Sequence, residues 1–204
     1  MVLISRIYII TNSEISVEKQ LQYFRELKEL KNKDIIIQIR MPHLKEVELH
    51  YFIKKTKEIL PDIKILINNR IDLMEKFDLD GVHFKDNNIN IDLKNYKGKF
   101  FAKSTHSINS IEDAIKNNIN FVTYGPIFYT KSKERYGDPI GFKALRDKNL
   151  KIPIFALGGI DLNSINNLPS NLFYGVGAIK LFSNDDIIKN IIKTRTKIES
   201  IKRS

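Results

Sequence analysis

No cysteine occurs among the 204 residues, which removes disulfides, thiolate metal centres and a cysteine nucleophile together. No apolar run approaches the ~18 residues that cross a bilayer. No signal-peptide pattern opens the chain either, because Asn12 and Glu14 interrupt the first apolar stretch. A soluble cytoplasmic protein is therefore expected. Linkers, low-complexity tracts and internal repeats are also missing, so residues 1–204 are expected to form one domain. Acidic residues are in the minority, 24 against 34 Lys and Arg, giving a net charge of +10 and a pI of about 9.6. Such a balance suits nucleic acid or a small anionic substrate. The lysines, however, are scattered over helical segments such as Lys54, Lys55 and Lys57, as on a solvated face. The basic tail at 193–204 has no aromatic residue to stack on a base, so no nucleic-acid partner is expected.

What the chain does contain is a regular alternation. Apolar runs rich in β-branched residues occupy 6–11, 34–40, 63–68, 80–84, 99–105, 120–125, 152–157 and 172–179. Between them lie stretches of helical period. One starts at Ser16 and places Val17, Leu21, Phe24, Leu27 and Leu30 on one face. Others are expected over 47–60 (closed by Pro61), 71–77, from Ser107 or Ser110, over 142–147, over 162–167 and from about 184 onward. Near-continuous apolar strands fit a parallel sheet covered on both faces. Eight such units in this length close naturally into a single (β/α)8 TIM barrel, an α/β fold. A doubly wound open sheet is the runner-up, but the first turn lacks the expected GxGxxG.

In such a barrel the site lies at the C-terminal strand ends. Those ends read Thr11-Asn12, Gln38 and Arg40, Asn68-Asn69-Arg70, His83, Ser104 and His106, Gly125-Pro126, Gly158-Gly159, and Gly175 through Lys180. Two of them suit a phosphate. The glycines of ALGGI (156–160) let backbone N–H groups approach an anion, and YGVGAIKLF (174–182) repeats the device after strand eight, with Lys180 as an added cation. Turn glycines are the bland alternative. The segment 124–142 is a Gly-bounded loop carrying Thr130, Ser132, Lys133 and Arg135. It suits closure over a phosphorylated ligand, or is simply solvated. His106 follows strand five and is the best general acid/base, since imidazole titrates near neutrality; its alternative role is a helix cap. His83 reads as a buried, hydrogen-bonded barrel residue, and His43 and His50 as incidental. No His/Asp/Glu set has metal-ligand spacing.

IQIR (37–40), INNR (67–70), DGVHF (80–84), STHS (104–107), YGPIFYTKSK (124–133), IPIFALGGI (152–160) and GVGAI (175–179) stand in an order and spacing that resembles the thiamin phosphate synthase/TenI superfamily over about residues 6–182. The resemblance implies a (β/α)8 barrel of thiamin biosynthesis. Synthases of that superfamily join hydroxymethylpyrimidine diphosphate to a thiazole phosphate with Mg²⁺, releasing pyrophosphate. The TenI branch includes a thiazole tautomerase that aromatises a thiazole carboxylate phosphate without metal. The resemblance puts the thiazole phosphate on Gly158, Gly159, Ile179 and Lys180, the last two through backbone N–H, and Thr130, Ser132 and Lys133 on the closing loop. In a synthase Gln38, Arg40, Asn68, Ser104 and Lys133 would surround the pyrimidine diphosphate. The superfamily's barrels are often dimers, so a homodimer is compatible with it.

The chain departs from the synthase pattern in one subsite. The lysine of the strand-two motif falls at Pro42, and the metal-binding Asp of the strand-three motif is Asn69. A second metal Asp would fall near Asn88, with Asp86 two residues away as a stand-in. A neutral amide does not replace the carboxylate charge that holds Mg²⁺. The expectation is therefore a metal-independent tautomerase with no cofactor, using His106, with Ser104 and Lys133 beside it and Asn68 and Asn69 among the binding residues. The alternatives are a Mg²⁺-dependent synthase, toward which the loop with Lys133 points, and a non-catalytic thiazole phosphate-binding barrel.

Overall fold

Every strand-like run of the sequence forms a strand in the computed structural model, which describes residues 6–30, 34–87, 89, 91–130, 138–169 and 171–203. In chain order these are β1 (Ile7–Ile10), β2 (Ile35–Ile39), β3 (Lys64–Asn68), β4 (Gly81–Phe84), β5 (Phe100–Thr105), β6 (Phe121–Tyr124), β7 (Ile154–Ala156) and β8 (Gly175–Ala178). Each pairs in parallel with the next, and β8 returns to β1, so the sheet closes and has no edge. The expected (β/α)8 barrel is thus the observed fold. Strands β7 and β8 are shorter than their apolar runs; Pro153, which lacks an N–H, stands just before the first of them.

Among the described residues five α-helices cover the outside: α1 (Val17–Lys28), α2 (Glu46–Ile59), α3 (Ile71–Lys76), α4 (Ile108–Lys116) and α5 (Ile187–Arg203). Ser16 caps α1 by accepting the Lys19 N–H at 3.2 Å. Ser107, not Ser110, caps α4, accepting the Ser110 N–H at 3.2 Å. The helices expected at 142–147 and 162–167 are only 3-10 turns, at Lys143–Leu145 and Ser164–Asn167. Asp147 adopts a left-handed φ of 60° just beyond the first. Leu168, which precedes Pro169, is extended beyond the second. Among the described residues no helix is long and apolar enough to cross a membrane.

Alternation along the strands sorts residues between two cores. Ile35, Ile37 and Ile39 of β2, with their counterparts on the other strands, pack outward under the helices. Tyr8, Ile10, Ile36, Leu66, Phe100, Ala102, Phe121 and Phe155 fill the interior. The Phe121 ring lies 5.3 Å from Tyr8 and 5.1 Å from Phe155, centroid to centroid. At the N-terminal end Lys64 Nζ sits 4.8 Å over the Phe100 ring and the Arg6 guanidinium 5.0 Å over Tyr174. The next inward positions toward the C-terminal ends of β2 to β6 are Gln38, Asn68, His83, Ser104 and Thr123. Interior packing thus lifts one polar layer to the barrel mouth.

Phe155 is fully buried between Phe121 and Tyr174. Phe155→Ala should lower stability by about 3–5 kcal/mol in urea denaturation. Ile192→Ala, at a position 52% exposed on α5, should stay within about 0.5 kcal/mol of the parent.

Candidate active site

The polar layer is internally bonded. Gln38 Nε2 donates to Asn68 Oδ1 at 3.0 Å, tying β2 to β3. His83 is 2% exposed; its Nδ1 lies 2.8 Å from the Tyr8 hydroxyl and its Nε2 2.9 Å from Ser104 Oγ. Burial, aided by the Arg40 charge, pulls the His83 pKa down to about 3, so the ring is neutral. Burial also pushes the Tyr8 phenol well above its usual range, so it keeps its proton. His83 is therefore the hydrogen-bonded barrel residue expected of it. Thr123 sits beside Ser104 in register, and its buried hydroxyl has no partner among the described residues.

His106 follows β5 and is exposed. Its Nδ1 contacts the Gly125 carbonyl at the end of β6. A carbonyl only accepts, so Nδ1 carries the proton and Nε2 is left unprotonated in the neutral ring. His106 Nε2 has no partner among the described residues. That is the arrangement of a general base, whereas the cap of α4 is Ser107.

Two strands further round the mouth, beyond β7, Gly158 and Gly159 hold φ of 92° and 66°. These glycines are required by packing as well as by conformation. A Cβ on Gly158 would lie 2.6 Å from Pro126 Cα, and one on Gly159 would lie 2.5 Å from the Tyr129 carbonyl oxygen. The strand-six loop runs directly over them. Ile127 N–H donates to Leu157 O at 2.9 Å, Phe128 N–H to Gly158 O at 3.0 Å, and Ile140 N–H returns to Pro126 O at 3.0 Å. The backbone N–H groups of Gly158, Gly159, Ile179 and Lys180 find no acceptor among the described residues. They are the donors expected for a phosphate. The Lys180 side chain does not reinforce them: it is exposed and pairs with Glu14 at 3.0 Å. A short 3-10 turn, Lys180–Phe182, follows β8. Thr130 is half-buried at the end of the described part of this loop. Ser132, Lys133 and Arg135, assigned to the loop from the sequence, lie outside the described residues.

The carboxylates around the mouth are engaged elsewhere. Asp86, proposed from sequence as a stand-in metal ligand, turns outward to the α4 side. There it accepts from Ser110 Oγ and lies 3.9 Å from the buried Lys103 ammonium. Lys103 in turn holds Asp113 at 2.5 Å. Arg70 grips Asp72 through Nε at 2.8 Å and Nη2 at 2.6 Å, and also reaches Glu46 at 3.0 Å. Its guanidinium holds the Asp72 and Glu46 carboxyls below the usual carboxylate range. Asp161 accepts the N–H groups of Asn163 and Ser164 in its own turn. Asn69, with φ 55°, is exposed in a pocket of about 280 Å³ whose other lining includes Ile71, Ile89 and Ile91. No group of three His, Cys, Asp or Glu that could hold a metal occurs among the described residues. A hard, strongly hydrated Mg²⁺ wants free carboxylate oxygens. Among the described residues the carboxylates near the mouth are engaged as above, and Asp86, the stand-in expected in a synthase, faces Ser110 and Lys103. Asn88 lies outside the described residues.

The sequence pointed to Gln38, Asn68, Ser104 and His106 at this mouth but not to Tyr8 or Thr123, nor to Lys103 on the outer face of β5. Tyr8 shares the inward parity of Gln38, but that follows from the β1–β2 register and not from the sequence.

A closed parallel barrel whose strand ends present an exposed imidazole, an amide pair and open backbone donors defines the class: a (β/α)8-barrel enzyme. The family model described as thiamine monophosphate synthase matches residues 7–180, and the chain belongs to this family of thiamine biosynthesis. It is 30% identical to the thiamine-phosphate synthase of Halalkalibacterium halodurans over 169 residues, 80% of each chain. Among solved structures, thiamine phosphate pyrophosphorylase from Pyrococcus furiosus superposes with a TM-score of 0.81 at 21% identity, over 98% of this chain and 97% of that one. The 3-keto-L-gulonate-6-phosphate decarboxylase of Vibrio cholerae superposes at 0.72 with 11% identity, over 97% and 98%. At these identities the two structures show the shared fold.

Gly159→Ala should force the strand-six loop off β7. Its affinity for inorganic phosphate, measured by calorimetry, should fall at least about ten-fold, and its stability by about 1–3 kcal/mol. Gly98→Ala is the control, since φ there is 81° but nothing lies within 4 Å of the added Cβ. It should leave phosphate binding unchanged.

Proposed function

We propose that the protein is a TenI-like thiazole tautomerase that binds a thiazole phosphate at the barrel mouth and moves a proton without a metal. The observation that carries this reading is the fate of the acids. Asn69 stands where a synthase has a carboxylate, and Asp86, Asp72 and Glu46 are held by Ser110, Lys103 and Arg70. The phosphate-facing N–H groups meanwhile stay open. The half of the mouth that suits a phosphate is retained, and the half that would hold a metal-bound diphosphate is not.

The chemistry asks little beyond placement. With the phosphate held by the Gly158, Gly159, Ile179 and Lys180 N–H groups, the substrate ring lies toward His106. Nε2 takes a proton from one carbon of the non-aromatic ring system, the electron pair moves into the ring, and the proton is returned to another carbon. Composition and oxidation state are unchanged, and aromatic stabilisation drives the step. The Gly125 carbonyl fixes the imidazole orientation and favours the transient imidazolium. Ser132 and Lys133 are assigned to the loop that would close over the ligand.

A second reading has a specific observation behind it, the thiamine-phosphate synthase name of the Halalkalibacterium relative. A synthase would join the pyrimidine and thiazole substrates and would need Mg²⁺.

Paired assays separate the two readings. EDTA-treated protein should isomerise the thiazole carboxylate phosphate, and His106→Asn should lower that turnover about 10²–10⁴-fold. Absence of isomerisation by the EDTA-treated wild type would sink the tautomerase reading. On the synthase reading, thiamine phosphate should form only with Mg²⁺ and both substrates, and Asn69→Asp should raise that rate.

A further inference from the structure

Tyr8, His83 and Ser104 form a buried chain of three polar groups that the proposed proton transfer does not use. The chain runs across the barrel floor from β1 through β4 to β5, with 2.8 Å and 2.9 Å contacts. The direction of its hydrogen bonds follows from counting protons. Tyr8 is wholly buried and protonated, and its hydroxyl has no acceptor other than His83 Nδ1 among the described residues. If Nδ1 donated to Tyr8, the phenol proton would be stranded in an apolar interior among Phe121 and Phe155. Nδ1 is therefore the acceptor. A neutral imidazole then carries its single proton on Nε2 and donates it to Ser104 Oγ. With that oxygen already accepting, the Ser104 proton is left over. No acceptor for it exists among the described residues, and Ser104 is half-buried at the mouth end of β5. Beside it Thr123 Oγ1 is also unpartnered.

We propose that Tyr8 and His83 are positioning residues that turn the Ser104 hydroxyl into a fixed hydrogen-bond donor, aimed at an anionic acceptor on the ligand remote from its phosphate. Resting on the tautomerase reading, that acceptor is the carboxylate of the thiazole carboxylate phosphate. The phosphate is held at the ends of β7 and β8, and Ser104 with Thr123 receives the second anionic group on the adjoining strands β5 and β6. The relay thereby selects for the carboxylated substrate over a thiazole phosphate lacking that group.

Two measurements test this, one of them without any ligand. Nitrogen-15 NMR of imidazole-labelled wild-type protein should show His83 neutral near pH 7, with the proton on Nε2; a proton on Nδ1 would overturn the relay. In calorimetry the wild type should bind the carboxylated thiazole phosphate at least about ten-fold more tightly than the decarboxylated one. Tyr8→Phe and Ser104→Ala should each lower affinity for the carboxylated probe about ten-fold and leave the decarboxylated probe within two-fold. The double variant should lose no more than Ser104→Ala alone, because Tyr8 acts through Ser104. Equal losses for both probes, or fully additive losses, would mean that Tyr8 is merely packing and would overturn the proposal. Turnover of wild type and His106→Asn reports on the tautomerase reading separately, so the failure of either idea is distinguishable.

Discussion

Closure of the sheet is the constraint from which the rest follows. In a closed parallel barrel every inward side chain must fit a core with no exit except its two ends. Tyr8, Phe100, Phe121 and Phe155 occupy so much of that space that polar residues gather at the barrel's two ends, Arg6 and Lys64 at one and the last inward layer at the other. Gln38, Asn68, His83, Ser104 and Thr123 stand there because strand parity admits no other place for them. They in turn must satisfy one another, since water reaches the layer from one side only. The Gln38–Asn68 bond and the Tyr8–His83–Ser104 chain are the result. Thr123 alone of the five is left with an unpartnered side chain among the described residues.

The histidines show how position decides chemistry. His83 is enclosed, held neutral, and bonded at both ring nitrogens. His106, past the end of β5, is exposed and bonded only through Nδ1. One ring has no freedom to exchange a proton with a ligand, and the other has an open nitrogen. His50 is a third case: on the outer helix α2, 3.0 Å from Glu46, it has no path to the mouth.

Much of this was legible in the sequence, because the signals were periodic. Alternation of apolar runs with helical stretches is a property of whole segments, and it survives errors at their ends. The misjudged pieces were short ones. The 142–147 and 162–167 stretches have helical composition, but a left-handed Asp147 and the extended residue before Pro169 limit each to a single 3-10 turn. The strand-end residues were readable because a polar letter closing an apolar strand is conspicuous. Tyr8 was not, since tyrosine suits a strand on either face and only the β1–β2 register shows which way it points. Lys103 was hidden for a similar reason: a lysine in a strand gives no hint that it is 3% exposed and clasped by Asp113.

On the tautomerase reading, the half of the mouth where a synthase would hold its metal departs in two unequal ways. At position 69 the departure is written in the residue itself, an amide in place of an acid. At position 86 the acid is present but turned away, and nothing local in the sequence says so. Its direction is set by Lys103 on the outer face of β5 and by Ser110 on α4, more than fifteen residues further along the chain. A buried ammonium needs counter-charge more than an exposed mouth needs a spare carboxylate, so Asp86 is drawn to the helix side. The neighbouring acids Asp72 and Glu46 are claimed in the same way by Arg70. Among the described residues the cations of this basic chain thus claim the acids near the mouth: Arg70 takes Asp72 and Glu46, Lys103 takes Asp86 and Asp113, and Lys180 takes Glu14.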